Sequence, residues 1–97
     1  MSCYFEWDPA KEQINRKKHG VGFELASTVF HDPLSLSIFD EEHSALEERW
    51  ITLGQSHTGV LLVVIHTFRQ NDADNEVIRI ISARKATKRE QAQYEKR

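Results

Sequence analysis

Thiol chemistry is nearly absent from this chain: Cys3 is its one cysteine, so no internal disulfide can form, and a reducing compartment suits it. Cys3 opens an expected strand and reads as a packing residue rather than a nucleophile. Long apolar runs are missing too. The longest, Val60 to Ile65, is far short of the roughly 20 residues a membrane helix needs. Met1 to Asp8 has neither a basic start nor an apolar stretch, so no signal peptide is expected. The five histidines, His19, His31, His43, His57 and His66, show no HxH or HxxxH spacing and have no cysteine partner, which argues against a metal centre. Gly20, Gly22, Gly54 and Gly59 form no phosphate-cradling loop, and no serine sits in a Gly-x-Ser-x-Gly elbow. The expectation is one cytoplasmic domain over residues 1–97 that needs no cofactor.

What is present is an uneven charge. The net charge is −2, yet Arg79 to Arg97 carries seven Lys or Arg against two Glu, and everything before it carries six against thirteen acids. A basic end on an acidic body points to a polyanion-facing surface.

The elements follow from period and punctuation. Tyr4 to Trp7 reads as a short strand, and Asp8-Pro9 as a helix entrance, with an Asp oxygen capping free N–H groups and Pro at the first helical position. That helix runs from Ala10 to His19 and stops at Gly20, with Arg16, Lys17, Lys18 and His19 at its negative end. A second helix is expected on the stripe Phe23, Ala26 and Phe30, ended by Asp32-Pro33. Leu34, Leu36 and Ile38 then alternate as a strand, followed by an acidic turn from Asp40 to Ser44. Glu48 to Gly54 alternates again. Val60 to Arg69 is apolar on both faces, as a central strand is, and His57-Thr58-Gly59 before it reads as a hairpin turn. A polar loop from Gln70 to Asn75 leads to the strand Val77 to Arg84 and a closing helix with the capping-box pair Thr87 and Glu90. Strand, two helices, four strands and a helix define an α+β fold: an antiparallel meander with the two N-terminal helices on one face and a C-terminal helix.

Four arginines fall on or beside strands: Arg49, Arg69, Arg79 and Arg84. Arginine in an apolar strand needs a carboxylate partner or an open surface that receives an anion. The pairing alternative gives Arg49 to Glu47 or Glu48, and Arg79 and Arg84 to Glu6 or Glu24; four arginines together favour phosphate. Alternation sets a constraint. Arg79 and Arg84 are five apart, so an unbroken strand cannot hold both on one face.

Phe5-Glu6-Trp7-Asp8, Lys11, Asn15, Lys18-His19-Gly20-Val21, Phe23-Glu24-x-Ala26, Glu48-Arg49-Trp50-Ile51, Gly54 and Ile80-Ile81-Ser82-Ala83-Arg84, with Thr87, Glu90 and Tyr94, together form a pattern. From Phe5 to Tyr94 it resembles the BrnT family, the toxins of bacterial type II toxin–antitoxin pairs. The resemblance implies a RelE-like fold, a ribonuclease activity that arrests translation, and a BrnA-like antitoxin through which the complex binds promoter DNA. On that basis Arg49, Arg79, Arg84, Lys18 and His19 are the candidate RNA-cleaving residues. Arg69, Lys85, Lys88, Arg89 and Tyr94 are candidate RNA contacts. Arginine suits transition-state charge at phosphorus, and His19 has an unperturbed pKa of about 6.5 that suits proton exchange. Alternatives stand beside these: His19 as a helix-ending side chain next to Gly20, Glu48 as a base or an ion-pair partner, and Tyr94 stacking on a base or anchoring its helix. The rival from another class is a non-enzymatic partner-binding domain whose strand arginines are structural and whose basic C-terminal helix docks on an acidic partner.

Overall fold

The computed structural model describes residues 3–70 and 75–96. Most of the expected Gln70–Asn75 loop, and Arg97, therefore lie outside the described residues. In chain order come β1 (Cys3–Glu6), α1 (Pro9–His19), α2 (Phe23–Ser27) continued by a 3-10 turn to His31, β2 (Leu36–Phe39), β3 (Trp50–Gln55), β4 (Leu61–Gln70), β5 (Glu76–Lys85) and α3 (Lys88–Lys96).

The punctuation works as its chemistry predicts. Asp8 Oδ1 accepts from the Ala10 N–H at 2.9 Å at the entrance of α1, and Gly20 closes the helix in the left-handed region at φ 71°, donating to Arg16 O. Thr87 and Glu90 form the capping box of α3, with bonds of 2.8 and 3.2 Å.

The five strands form one sheet in the order β1-β5-β4-β3-β2, with β4 at its centre. From β2 to β5 the pairing is the expected antiparallel meander, but β1 joins the outer side of β5 in parallel, so the sheet is mixed. Periodicity reports which face a residue occupies and is silent on which strand lies beside it, so this partnership was not legible.

α1 and α2 cover one face. Phe23, Val21, Ala26 and Val29 pack there against Leu62, Val64, Ile78, Ile80 and Ala83 to form the core. Phe23 is fully buried, and truncating such a side chain to Ala costs about 3–5 kcal/mol. β1 pairs only with residues 76–79 of β5, which leaves the backbone beyond Arg79 without a strand on that side. Buried Asn15 fills the gap: its amide donates to Ala83 O at 2.8 Å and to Val21 O at 3.1 Å, and its oxygen accepts from Ala83 N. Glu12, one turn earlier, accepts from the Phe23 N–H and takes two 2.6 Å bonds from Arg16. The Arg16 hydrogen bonds hold its carboxyl below the ordinary carboxylate value, against the opposing effect of burial.

Candidate functional site

One irregularity puts Arg84 on the same face as Arg79. The β4–β5 register pairs Ile65 with Ser82 but His66 with Ile80, leaving Ile81 as an extra residue, a β-bulge. Alternation slips by one at that point. Arg79 opposite Thr67 and Arg84 opposite Val63 therefore share the sheet face turned away from α1 and α2, although they are five residues apart. This corrects the expectation that alternation keeps the two on opposite faces of a continuous strand. β5 runs on to Lys85, and the bulge supplies the parity.

The same register gathers the rest. Arg69 stands opposite Val77 on the far face, and Glu6 lies beside Arg79. Arg49 immediately precedes Trp50, whose partner is His66, so it comes level with Thr67 from the other side. Arg49 and Arg79 thus flank Thr67 with their backbones about 10 Å apart, two strand spacings. Arg84 lies four residues of β4 further along, about 13 Å. Between and beside the arginines the face is apolar, with Val63, Ile65, Leu53, Ile51, Leu36 and Ile38 in register across β4, β3 and β2.

Each arginine has a carboxylate within reach, but the grips differ. Arg84 gives Glu90 two hydrogen bonds of 2.7 and 2.8 Å, which push the Glu90 carboxyl down to about 2 and raise the guanidinium above its ordinary value. That partner is neither Glu6 nor Glu24, the acids expected if Arg84 were ion-paired. Arg69 Nη1 reaches Glu6 Oε1 at 3.0 Å, and Arg79 Nη1 reaches the same oxygen at 3.9 Å, too long for a hydrogen bond. Arg49 has Glu47 at 4.0 Å, and its buried Nε has no hydrogen-bond partner.

Lys18 and His19 end α1 beside the bulge, where they line a surface cavity with Lys11, Ile14, Asn15, Ile81 and Ser82. Ser82 belongs to the arginine face, so the two α1 residues border that face at its β5 edge. Lys85 has the parity of the helix side, opposite Leu62, and lines a cavity with Tyr94. Lys88 and Arg89 are exposed on α3. The Tyr94 hydroxyl donates to Asp32 Oδ2 at 2.5 Å, and the same carboxylate oxygen accepts from Gln55 N. That contact is the anchoring role. Lys85, Lys88, Arg89 and Tyr94 thus belong to the α3 end of the molecule, apart from the Arg49–Arg79 row.

Two features escaped sequence reasoning. Glu6 entered only as a pairing partner, yet it is shared by two arginines. The bulge had one signal, the doublet Ile80-Ile81 where alternation calls for a single apolar residue. Among the described residues no three His, Cys, Asp or Glu side chains gather as a metal site, and no helix is long and apolar enough to cross a membrane.

The helix side holds a different kind of cavity, of about 480 Å³, lined by Phe5, Phe30, Trp50, Phe68 and buried His66 among others. His66 Nδ1 donates to Thr67 O at 3.1 Å, which leaves Nε2 to accept from the Thr52 hydroxyl at 2.6 Å; Thr52 in turn meets Ser37 at 2.7 Å. Burial pushes the His66 pKa below its ordinary value, the direction that favours the neutral ring.

Among curated protein sequences none matches this chain. The crystal structure of the Brucella abortus ribonuclease toxin BrnT is similar in fold, with a TM-score of 0.57 and 21% identity over 91% of this chain and 100% of that one. A family model described as "Ribonuclease toxin, BrnT, of type II toxin-antitoxin system" matches residues 7–90. With nearly the whole chain matched, the protein belongs to the BrnT family of ribonuclease toxins.

Proposed function

We propose that this toxin is a single-domain, RelE-like cytoplasmic endoribonuclease that cleaves RNA without a metal, by attack of the ribose 2′-hydroxyl on the adjacent phosphorus. The observation that carries the reading is the gathering of Arg49, Arg69, Arg79 and Arg84 on one sheet face, the first three by strand register and Arg84 by the bulge at Ile81. The attack forms the 2′-oxygen–phosphorus bond and breaks the bond to the 5′-oxygen, which leaves with a proton. Negative charge grows on the phosphoryl oxygens in between, and forked, permanently charged guanidinium groups stabilise it. Arg79 and Arg49, which face each other across Thr67, take this role, because among the described residues no carboxylate hydrogen-bonds either of them. Arg84 and Arg69 extend the basic face along the strand. His19, with Lys18 beside it, borders the face at the bulge and is the candidate for proton exchange with the 2′-hydroxyl or the leaving oxygen. Lys85, Lys88 and Arg89 attract RNA without specificity. Tyr94 serves them by holding α3 in place. Cleavage of this kind inhibits translation. A BrnA-like antitoxin neutralises the toxin, and promoter DNA is contacted only through the complex.

One observation favours a second reading: each of the four arginines has a carboxylate within 4.0 Å. In that reading the arginines are structural and the chain is a partner-binding module. Incubating purified protein with RNA separates the two. Arg79→Ala is expected to lower the cleavage rate about 10²–10³-fold, the usual loss for one transition-state donor, with unchanged circular dichroism. Intact RNA with the wild-type protein, alongside tight binding of the antitoxin, supports the module instead.

A further inference from the structure

Glu6 offers one carboxylate oxygen to two arginines and satisfies only one of them. Its Oε1 accepts from Arg69 at 3.0 Å and lies 3.9 Å from Arg79, and all three side chains are 40–56% exposed on the arginine face. In this pose the carboxylate hydrogen-bonds Arg69 alone, and Arg79 is left near the same point without a hydrogen bond from it. A phosphodiester seated there has two non-bridging oxygens, each able to accept from one arginine. We propose that Arg69 and Arg79 form a two-point phosphate site that Glu6 occupies in the free protein, so that an RNA phosphate binds by displacing the Glu6 carboxylate.

Two physical points support this. Exposed ion pairs are weak because water and salt screen them, so this internal occupant is readily displaced. Glu6 also sits on β1, whose parallel pairing puts it level with Arg79, so the arrangement is fixed by strand register rather than by a loop. Glu6 is therefore a positioning and affinity-setting residue, distinct from the groups that exchange protons. The inference rests on the ribonuclease reading for the identity of the anion. It does not depend on that reading for the existence of the site.

The test is Glu6→Gln, which keeps the size of the side chain and removes the competing charge. Binding of a short single-stranded RNA is expected to tighten roughly two- to five-fold, the range set by a screened surface pair. In a cleavage assay the gain appears in KM rather than in kcat. In the double variant Glu6→Gln/Arg69→Ala the tightening disappears, because the arginine that Glu6 occupies is gone. Titration with inorganic phosphate, followed by the arginine side-chain resonances, reads the same site without RNA. Unchanged affinity for both probes in Glu6→Gln overturns the proposal. So does loss of kcat with unaltered binding, which makes Glu6 the base at the sugar instead. If the wild-type protein takes phosphate more weakly than Glu6→Gln but neither cleaves RNA, the anion site stands and the ribonuclease reading falls. Glu6→Ala, checked by circular dichroism, guards against an effect of the amide itself.

Discussion

Arg84, at the α3 end of β5, is gripped by Glu90 through two hydrogen bonds, whereas Arg79, toward the β1 end, has among the described residues only the Glu6 oxygen at 3.9 Å. Both lie on the same face and belong to the same basic segment, yet their surroundings assign them different work. Glu90 is also the capping carboxylate of α3, so Arg84 is tied to the element that follows the sheet. One turn further along α3, Tyr94 reaches Asp32. None of the residues of α3 is buried, so these two polar contacts do much of the holding. Among the described residues Arg79 has no comparable tie, which is what the proposed binding role needs, whereas the strong partner of Arg84, shared with a cap, makes it a fastener.

Deleting Ile81 attacks what the two ends have in common. Strict alternation returns, and either Arg84 or Arg79 turns toward the helices, carrying core positions with it. Cleavage is expected to fall by about 10²-fold or more, while Ile81→Ala, which keeps the residue count, loses far less. Comparable cleavage in the deletion and the alanine variant would mean that the shared face is irrelevant.

Glu90→Ala sharpens the contrast from the Arg84 side. Losing the cap and the charged hydrogen bonds together is expected to lower stability by about 1–2 kcal/mol in urea unfolding, with α3 amides losing protection from hydrogen exchange first. Uniform loss across the sheet would count against a local fastener. The pH dependence follows with a definite sign. Glu90 has its pKa lowered to about 2, so its contribution is present above the ordinary value near 4.5 and is lost as pH falls from there toward 2. Acid titration should loosen α3 in that window, and Glu90→Gln should abolish the dependence.

The smallest effect is reserved for the exposed helix. Replacing Lys85, Lys88 and Arg89 by Gln is expected to weaken RNA binding several-fold and to flatten the slope of log affinity against log salt by up to about 2, near 0.7 per phosphate contact on a single strand. A loss as large as that of Arg79→Ala would move the active surface onto α3.

Much of this was legible. Asp8-Pro9, Gly20, Asp32-Pro33 and the Thr87–Glu90 pair delimited elements because capping and backbone restriction act within a few residues. The apolar run from Leu61 declared the central strand because Leu62, Val63 and Val64 are buried whichever face they point to. The parallel placement of β1 was hidden, since no local signal names a strand's neighbour. Asn15 illustrates the same limit: a polar residue on a helix gave no hint that it would complete the edge of β5, 68 positions away. The partner of Arg84 was hidden for a related reason: Glu90 reads locally as a cap, and nothing nearby in the sequence shows that it also holds an arginine.

By itself, then, the sequence determined the order of elements, the basic end and the set of arginines, since all three are fixed by residue type and short-range spacing. Only the tertiary structure decided which arginines share a face and which carboxylate holds each one. Those outcomes depend on strand register, and a single inserted residue, Ile81, reverses the parity of everything beyond it.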